Sequence, residues 1–358
     1  MKKLLTIVIP AYNMEKYLKY CLDSLCINQN SLEVLIINDG SKDNTSNIAH
    51  RYAEQYPVIF RVIDKANGNY GSCVNRGLTE AKGKYIKILD ADDSFDTENF
   101  KDFLAFLEKT DADLVLSDFA VVDPERRIRK IIRYDVGKGY SFGIDEVCNT
   151  DVFKNMQMHA VTYRRENLLK LGYKQTEGIS YTDQQWIFIP MTTIKSVSYF
   201  NRYVYKYLVG RAGQTMNPEV RLRSMDHTLR CALDMAKVYE LYKPLFEGNP
   251  IQEYLHARII PFIKEIYVSS LTHYDRKTKK LLTDFDNNLK ETSKDIHELI
   301  GSKRVSSFKG FAYIDYWRNH KDVNKEMVKL LSRMYLLMLR MKRVSKTKNK
   351  MALPSFFN

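Results

Sequence analysis

The sequence predicts an α/β fold built on a mainly parallel sheet, followed by a helical region. Short apolar runs rich in β-branched residues alternate with helical patterns as far as residue 117, and helical spacing dominates from about residue 222. This alternation is typical of βαβ units, whose strands are parallel. We place the boundary between an α/β domain, residues 1–217, and a helical domain, residues 218–358, at Asn217-Pro218.

Strands and helices are expected to alternate in order along the first part. The predicted strands cover residues 4–10, 32–37, 59–63, 85–89 and 114–117. The predicted helices cover residues 17–27, 43–55, 72–81 and 99–109. Asp43-Asn44-Thr45 can cap the second helix, and Gly83 ends the third. Residues 121–134 contain an Asp-Pro-Glu turn and favour a hairpin.

The composition is that of a soluble globular protein, with 44% hydrophobic and 28% charged residues. The apolar runs are shorter than the roughly 20 residues that span a bilayer. Residues 1–10 lack the small-residue cleavage site of a signal peptide, so we interpret them as a first strand and expect a cytoplasmic protein. The five cysteines are scattered, which favours reduced thiols over a disulfide framework.

Polar residues follow three of the predicted strands. The first strand leads into residues 10–13, the second into residues 38–41, and the fourth into Asp90-Ala91-Asp92-Asp93. In a parallel sheet these carboxyl ends meet at one edge, where ligands bind. Crowded carboxylates repel one another unless a cation lies between them, and oxygen ligands favour Mg²⁺ or Mn²⁺ bound to phosphate. The alternative is an acidic turn in which Asp93 or Ser94 caps the next helix.

These motifs, with residues 67–78 and 81–85, occur in the order and at the spacing of a known family. The chain resembles family 2 inverting glycosyltransferases of the bacterial cell-surface type, strongly over about the first hundred residues and more loosely to about Met216. The resemblance implies the GT-A fold, which is Rossmann-like, with a mainly parallel central sheet and helices on both faces. It also implies transfer of a hexose or N-acetylhexosamine from a nucleotide diphosphate, usually UDP, with Mn²⁺ or Mg²⁺.

The resemblance also implies residue roles in the donor site. Tyr12 would lie near the base, Asp39 would hydrogen-bond it, Asp90 would face the ribose or sugar, and Asp92 would bind the metal. The residues implied to contact the donor from these loops are Pro10, Ala11, Tyr12, Asn13, Asp39, Asn67, Arg76, Asp90 and Ala91. The alternatives from the residues alone are a packed aromatic for Tyr12 and a turn or helix cap for Asp39.

A further carboxylate is implied at Asp183. Residues 181–186 match the place where the family has Glu-Asp followed by an aromatic, and Asp183 aligns with the acid that takes the proton of the acceptor hydroxyl. Thr182 replaces the first acid. The alternative is a helix N-cap at Thr182 or Asp183. Trp186 is expected in the core or in the acceptor wall.

Two further residues keep open interpretations. Arg211 stands between Gly210 and Gly213, which suits a loop that closes on the diphosphate, or equally an exposed loop. His159 is expected to be a structural histidine, with an acceptor or metal contact as the alternative.

Apolar residues at helical spacing from Val323 to Val344 predict an amphipathic helix that ends in basic residues. Its apolar face favours packing on the body or on a second copy of the chain. The basic tail suits contact with the inner face of an anionic membrane, or exposure to solvent. Nucleic-acid binding is disfavoured because basic residues are not interleaved with aromatic ones.

The leading hypothesis is a metal-dependent inverting glycosyltransferase of polysaccharide biosynthesis or protein glycosylation, with Asp183 as general base. The acceptor would be a hydroxyl of a glycan, a teichoic acid, a lipid-linked glycan or a glycoprotein. One alternative is a catalytically silent relative that acts as an assembly scaffold. Another is a sugar-nucleotide nucleotidyltransferase, although residues 11–14 lack its Gly-rich triphosphate loop.

Overall fold

The computed structural model describes residues 2–27, 29–211, 224–272, 275–308 and 311–320. The chain divides into two compact units. The first comprises residues 1–227 and 245–254, and the second comprises residues 228–244 and those from 255 onward. The predicted boundary at Asn217-Pro218 lies outside the described residues.

A ten-stranded mixed sheet forms the centre of the first unit. Its strands are β1 Leu5–Ala11, β2 Leu32–Asn38, β3 Phe60–Asp64, β4 Tyr85–Ile88, β5 Ser94–Phe95, β6 Leu114–Val122, β7 Ile128–Ile132, β8 Ser141–Gly143, β9 Val161–Arg164 and β10 Ser196–Leu208. Their order is β3-β2-β1-β4-β9-β6-β10-β5, with β7 beside β6 and β8 beside β10. The predicted α/β class is confirmed.

The first four strands are parallel, as predicted: β1 pairs with β2 and β4, and β2 pairs with β3. Every residue of β2 is buried, as expected for a parallel strand covered on both faces. Strand β9, which the sequence analysis did not predict, runs antiparallel between β4 and β6. Strand β6 extends to Val122, beyond the predicted end at residue 117.

Seven α-helices accompany this sheet in the described part of the chain. They are α1 Leu18–Asp23, α2 Thr45–Gln55, α3 Asn69–Glu80, α4 Thr97–Lys109, α5 Asp151–Lys154, α6 Arg165–Leu171 and α7 Asp183–Trp186. Helix α3 packs directly on β1, since a Cβ at Gly77 would lie 2.3 Å from Val8 Cγ1. The side chain of Asp96 caps α4 by accepting from the Asn99 N–H at 3.2 Å. The suggested cap at Asp93 or Ser94 was therefore wrong, because strand β5 intervenes.

The described residues between 224 and 320 are mainly helical, as predicted. Its elements are α8 Met225–Tyr242, α9 Ile251–Thr272, α10 Arg276–Thr292, α11 Lys294–Gly301, α12 Tyr313–Asn319 and the short strands β11 Ser307–Phe308 and β12 Phe311–Ala312. Within the second unit, buried Asp286 accepts hydrogen bonds from Tyr267 and Arg318. The amphipathic helix predicted at residues 323–344 lies outside the described residues. No described helix is long and apolar enough to cross a membrane.

Candidate active site

The loops after β1 and β2 are joined by hydrogen bonds. Asn13, at φ +53, accepts from the Lys42 N–H at 2.8 Å, and its own N–H donates to Ser41 Oγ at 3.1 Å. Asparagine tolerates this left-handed backbone better than most residues. Tyr12 is 47% exposed, so its ring is accessible to a ligand. The structure thus brings together the first two loops that the sequence placed at one edge.

Asp39 is buried between these loops and α3. Its N–H donates to the Ala11 carbonyl at 2.9 Å, and its Oδ1 accepts from the Gly68 N–H at 2.9 Å. The Asn67 side-chain amide donates to the Asp39 carbonyl at 2.9 Å. Lys65 forms an ion pair with the Asp39 carboxylate. Sequence reasoning missed Lys65, which follows a strand as a single cation without a motif.

Asp90 and Asp93 are held by side chains from distant elements. Asp90 Oδ1 accepts from the Tyr70 hydroxyl at 2.8 Å, and the Asp90 N–H donates to the Tyr205 hydroxyl at 3.1 Å. Asp93 accepts from the Tyr205 hydroxyl and from the Leu208 N–H, both at 2.7 Å. Strand β10 and helix α3 therefore fix the two carboxylates.

These carboxylates are crowded as well as buried. Burial, with the charge of Asp92, raises the pKa of Asp90 to about 7. Burial and the charges of Asp92 and Asp90 raise the pKa of Asp93 well above its usual range. A bound cation would relieve both effects, so the residues fit the divalent ion that the sequence suggested.

A neutral histidine lies beside these acids. One ring nitrogen of His159 and one carboxylate oxygen each of Asp90 and Asp93 all lie within 4.8 Å of one another. Burial and nearby Lys87 lower the pKa of His159 to about 3, so its imidazole is uncharged at neutral pH. Neutral imidazole is the form of histidine that binds metals.

Two arginines bracket Asp92. Arg211 donates to the Asp92 carboxylate, and its guanidinium lies 5.1 Å from the centroid of the Tyr17 ring. Arg126 donates to the Asp92 carbonyl at 3.1 Å and lies 4.1 Å from the centroid of the Tyr20 ring. The structure therefore brings Arg211 to the predicted metal ligand. Arg126 was not singled out by the sequence, because its turn between β6 and β7 reaches Asp92 only in the folded sheet.

Asp183 is the first residue of α7. Gln184 Nε2 donates to its carboxylate at 3.0 Å, and fully buried Thr182 donates to Gln175 Oε1 at 3.3 Å. The charge of Asp183 contributes, after burial and Asp92, to the raised pKa of Asp90. The carboxylate of Asp183 is thus an electrostatic neighbour of Asp90.

Helix α3 holds the loop that precedes Asp183. The Asn75 amide donates to the Gln175 carbonyl at 2.9 Å and accepts from the Gln175 N–H at 2.8 Å. A Cβ at Gly71 would lie 2.1 Å from the Thr176 carbonyl oxygen, so only glycine allows this close approach. The same helix therefore supports both Asp90, through Tyr70, and the segment that leads to Asp183.

Comparisons with known proteins agree with this architecture. Residues 6–172 match the sequence model described as Glycosyl transferase family 2. The uncharacterized glycosyltransferase MG025 homolog of Mycoplasma pneumoniae is 30% identical over 271 residues, which are 74% of this chain and 85% of that protein. The chain belongs to glycosyl transferase family 2. The predicted family and the enzyme class, a glycosyltransferase, are confirmed.

Other relatives of this glycosyltransferase extend the comparison. The uncharacterized glycosyltransferase YibD of Escherichia coli is 29% identical over 217 residues, covering 57% of this chain and 60% of that protein. The crystal structure of Staphylococcus aureus TarS 1-349 in complex with UDP-GlcNAc matches with a TM-score of 0.64 at 19% identity, over 92% of each chain. At this identity the match shows the fold, and the predicted GT-A architecture is confirmed.

Two predicted residues of this glycosyltransferase have other partners in the structure. Arg76 donates to Glu80 at 3.0 Å, and Glu80 also accepts from Arg61 at 2.9 Å. This network lies at the end of α3 opposite Asp39. Trp186, predicted in the core or in the acceptor wall, is fully buried, and its ring centroid lies 5.2 Å from that of Tyr163.

Proposed function

We propose that this glycosyltransferase moves a sugar from a UDP-sugar to an acceptor hydroxyl with inversion at the anomeric carbon, and that the reaction depends on a divalent metal. The observation that carries the proposal is that helix α3 holds both Asp90, through Tyr70, and the loop that leads to Asp183. Direct displacement needs carboxylates that hold the metal and the donor, and a separate carboxylate that takes the proton of the acceptor. The TarS structures with UDP-GlcNAc and with UDP support uridine as the donor nucleotide.

The donor base would bind beside Tyr12 and Asp39. The accessible ring of Tyr12 offers a stacking face for uracil. The carboxylate of Asp39, which the Gly68 N–H anchors, offers a hydrogen-bond acceptor for the N–H of uracil. Pro10, Ala11 and Asn13 shape the same loop, and Asn67 holds the main chain of Asp39. We leave Arg76 out of this donor set because its described partner is Glu80.

The diphosphate would meet the aspartate cluster and its arginines. Asp92 and its neighbouring acids would hold Mn²⁺ or Mg²⁺, which supplies positive charge for the departing UDP. Arg211 already lies at Asp92 and would add a second positive charge on the diphosphate side. Ala91 and Asp90 would border the ribose or the sugar.

Asp183 would take the proton from the acceptor hydroxyl as that oxygen attacks the anomeric carbon. A positioned base of this kind contributes ~10²–10⁴ in rate. Thr182 puts a neutral hydroxyl where relatives carry an acid, and its burial on Gln175 gives it a structural role. The acceptor class, a glycan, teichoic acid, lipid-linked or glycoprotein hydroxyl, remains a prediction.

A donor screen tests the proposal. The full chain is incubated with UDP-sugars, with GDP-sugars as the nucleotide control, and released nucleotide is measured with Mn²⁺, with Mg²⁺ and with EDTA. We expect slow release of UDP from at least one UDP-sugar, loss of release in EDTA and recovery on adding Mn²⁺. Binding of UDP-sugars without release under any condition, with or without candidate acceptors, would contradict the proposal and favour an assembly scaffold.

A further inference from the structure

The loop that leads to Asp183 contains a strained residue. Residues 172–182 connect α6 to α7, and within them Gly178 has φ +79 and Tyr181 has φ +67. Glycine adopts this left-handed backbone freely, whereas a residue as bulky as tyrosine rarely does. Such a conformation persists only where neighbouring contacts hold it, and it is typical of active sites. Because Tyr181 lies two positions before the proposed base, its backbone sets the direction in which the chain reaches Asp183.

The earlier part of this loop is fixed by its own set of hydrogen bonds. The Thr176 N–H donates to Gln185 Oε1 at 2.8 Å, and Gln185 Nε2 donates to Thr176 Oγ1 at 2.9 Å. The Gly178 N–H donates to the Gly68 carbonyl at 2.8 Å. These bonds hold residues 176–178, but the strained residue lies three positions further on.

His227 supplies a contact next to the strained residue. The Ser180 N–H, one position before Tyr181, donates to His227 Nδ1 at 3.2 Å. His227 is half-buried and lies in the first turn of α8, while Ile179, which precedes Ser180, is buried. A main-chain N–H can only donate, so Nδ1 carries no proton and the proton of the ring lies on Nε2. The imidazole therefore serves as the acceptor for an amide of the loop.

We propose that His227 is a positioning residue for the proposed base. By accepting the Ser180 N–H it holds Tyr181 in its left-handed conformation, and this backbone in turn directs Asp183 towards the acceptor hydroxyl. The proposal rests on the proposed function, in which Asp183 is the base, and adds a residue that acts through the main chain. Without the bond the backbone at Tyr181 relaxes, and a displacement of the base by about 1 Å can cost up to ~10²-fold in rate. The sequence did not single out His227, which reaches Ser180 across 47 positions.

Three variants of the full chain separate the acceptor atom from the rest of the ring. His227→Leu removes the acceptor at similar volume. His227→Asn places an amide oxygen close to the position of Nδ1, whereas His227→Gln places it close to that of Nε2. The matched control is His256→Leu, which changes another half-buried histidine, whose Nε2 bonds the Tyr239 hydroxyl in the second unit.

Three measurements are made on each variant. Turnover is the release of UDP from the best donor of the screen with Mn²⁺, and calorimetry gives the affinity for UDP. Hydrogen exchange of the Ser180 amide, followed by mass spectrometry of peptides over residues 179–182, reports the bond itself without measuring activity.

We expect turnover of His227→Leu to fall about ten- to a hundredfold, with unchanged UDP affinity and faster exchange at Ser180. His227→Asn should regain most of the turnover together with slow exchange, and His227→Gln should stay impaired. The control His256→Leu should match the wild type in all three measurements. A residue that only stabilised the fold would not separate Asn from Gln in this way.

Normal turnover by a folded His227→Leu would overturn the proposal, and so would equal turnover by His227→Asn and His227→Gln. If His227→Leu does not fold, as judged by thermal unfolding, the comparison of Asn with Gln decides. The outcomes also separate this proposal from the proposed function. UDP release by the wild type that His227→Leu retains in full contradicts the role of His227 alone, whereas no UDP release by the wild type from any donor contradicts both.

Discussion

The proposed donor side and the proposed base side of the active site are built differently. On the proposed donor side, Asp39 and residues 90–93 come after buried parallel strands. A backbone hydrogen bond from β1 anchors Asp39, and side-chain and backbone groups of β10 anchor residues 90–93. On the base side, Asp183 follows no strand and begins a helix of only four residues. Its loop is positioned by side-chain and backbone contacts with α3. The carboxylates of the proposed donor side are therefore tied mainly to the sheet, whereas the placement of the proposed base depends mainly on a few contacts from one helix.

The largest expected effect comes from changing the base itself. Asp183→Asn keeps the size of the side chain but cannot take a proton, so turnover should fall ~10²–10⁴-fold while the affinity for a UDP-sugar stays unchanged. UDP release and calorimetric binding measure the two quantities. Asp151→Asn is the matched control, because Asp151 is the first residue of another four-residue helix and is exposed. Near-normal turnover by Asp183→Asn would refute the assignment of the base.

Gly71→Ala should disturb the base side through its support. The new Cβ would lie 2.1 Å from the Thr176 carbonyl oxygen, so the loop that leads to Asp183 must move. A displacement of about 1 Å can cost up to ~10²-fold in rate, and we expect a loss of about ten- to a hundredfold in turnover. The affinity for UDP should change much less.

The control for this change is Gly143→Ala, whose Cβ would make an ordinary contact at 3.4 Å. It should leave turnover and UDP affinity unaltered. If Gly71→Ala weakens UDP binding as strongly as it slows turnover, the two sides of the site are not separable in the way that the contacts indicate.

Much of the donor side could be predicted from local sequence, because a carboxylate after a buried strand needs no knowledge of distant residues. Tyr205 could not be predicted: its hydroxyl reaches Asp93 across 112 positions of sequence. Lys65 likewise pairs with Asp39 only in the folded sheet, from the position just after β3. Strand β9 could not be predicted because it has only four residues and no clear pattern. Asp183 was found only by resemblance to a family, since its loop is shaped by tertiary contacts with α3.

The proposed donor side can be probed through the ion pair of Asp39 with Lys65, the partner that the sequence did not predict. Lys65→Met, Asp39→Asn and the double variant form a cycle, in which we expect a coupling free energy of about 1–3 kcal/mol because both side chains are largely buried. Urea unfolding gives the values. The control pair is Lys84 and Asp111, where Asp111 is 83% exposed and the coupling should stay below ~1 kcal/mol. Equal coupling in the two pairs would contradict a special role for Lys65.

The smallest effect is expected in the pH dependence of stability without metal. The pKa of Asp90 rises from an ordinary 3.8 to about 7 on folding, mainly through burial. The folded state then binds more protons than the unfolded state between these values, so Asp90 makes stability fall as pH rises through this window. The free energy of unfolding of Asp90→Asn, taken relative to that of the wild type, should therefore rise by at least about 1 kcal/mol between pH 5 and pH 8. Urea unfolding in EDTA measures it. If the free energies of unfolding of the two proteins differ by the same amount at both pH values, Asp90 is not a group whose pKa rises on folding.

The central claim is that a donor held by the sheet is attacked directly by an acceptor activated at Asp183. The most direct test is the anomeric configuration of the sugar released when the enzyme hydrolyses an α-linked UDP-sugar, followed by proton NMR before mutarotation. The account predicts that the β anomer appears first in the wild type and that Asp183→Asn produces almost none. Initial release of the α anomer would mean retention and would contradict a single displacement driven by Asp183.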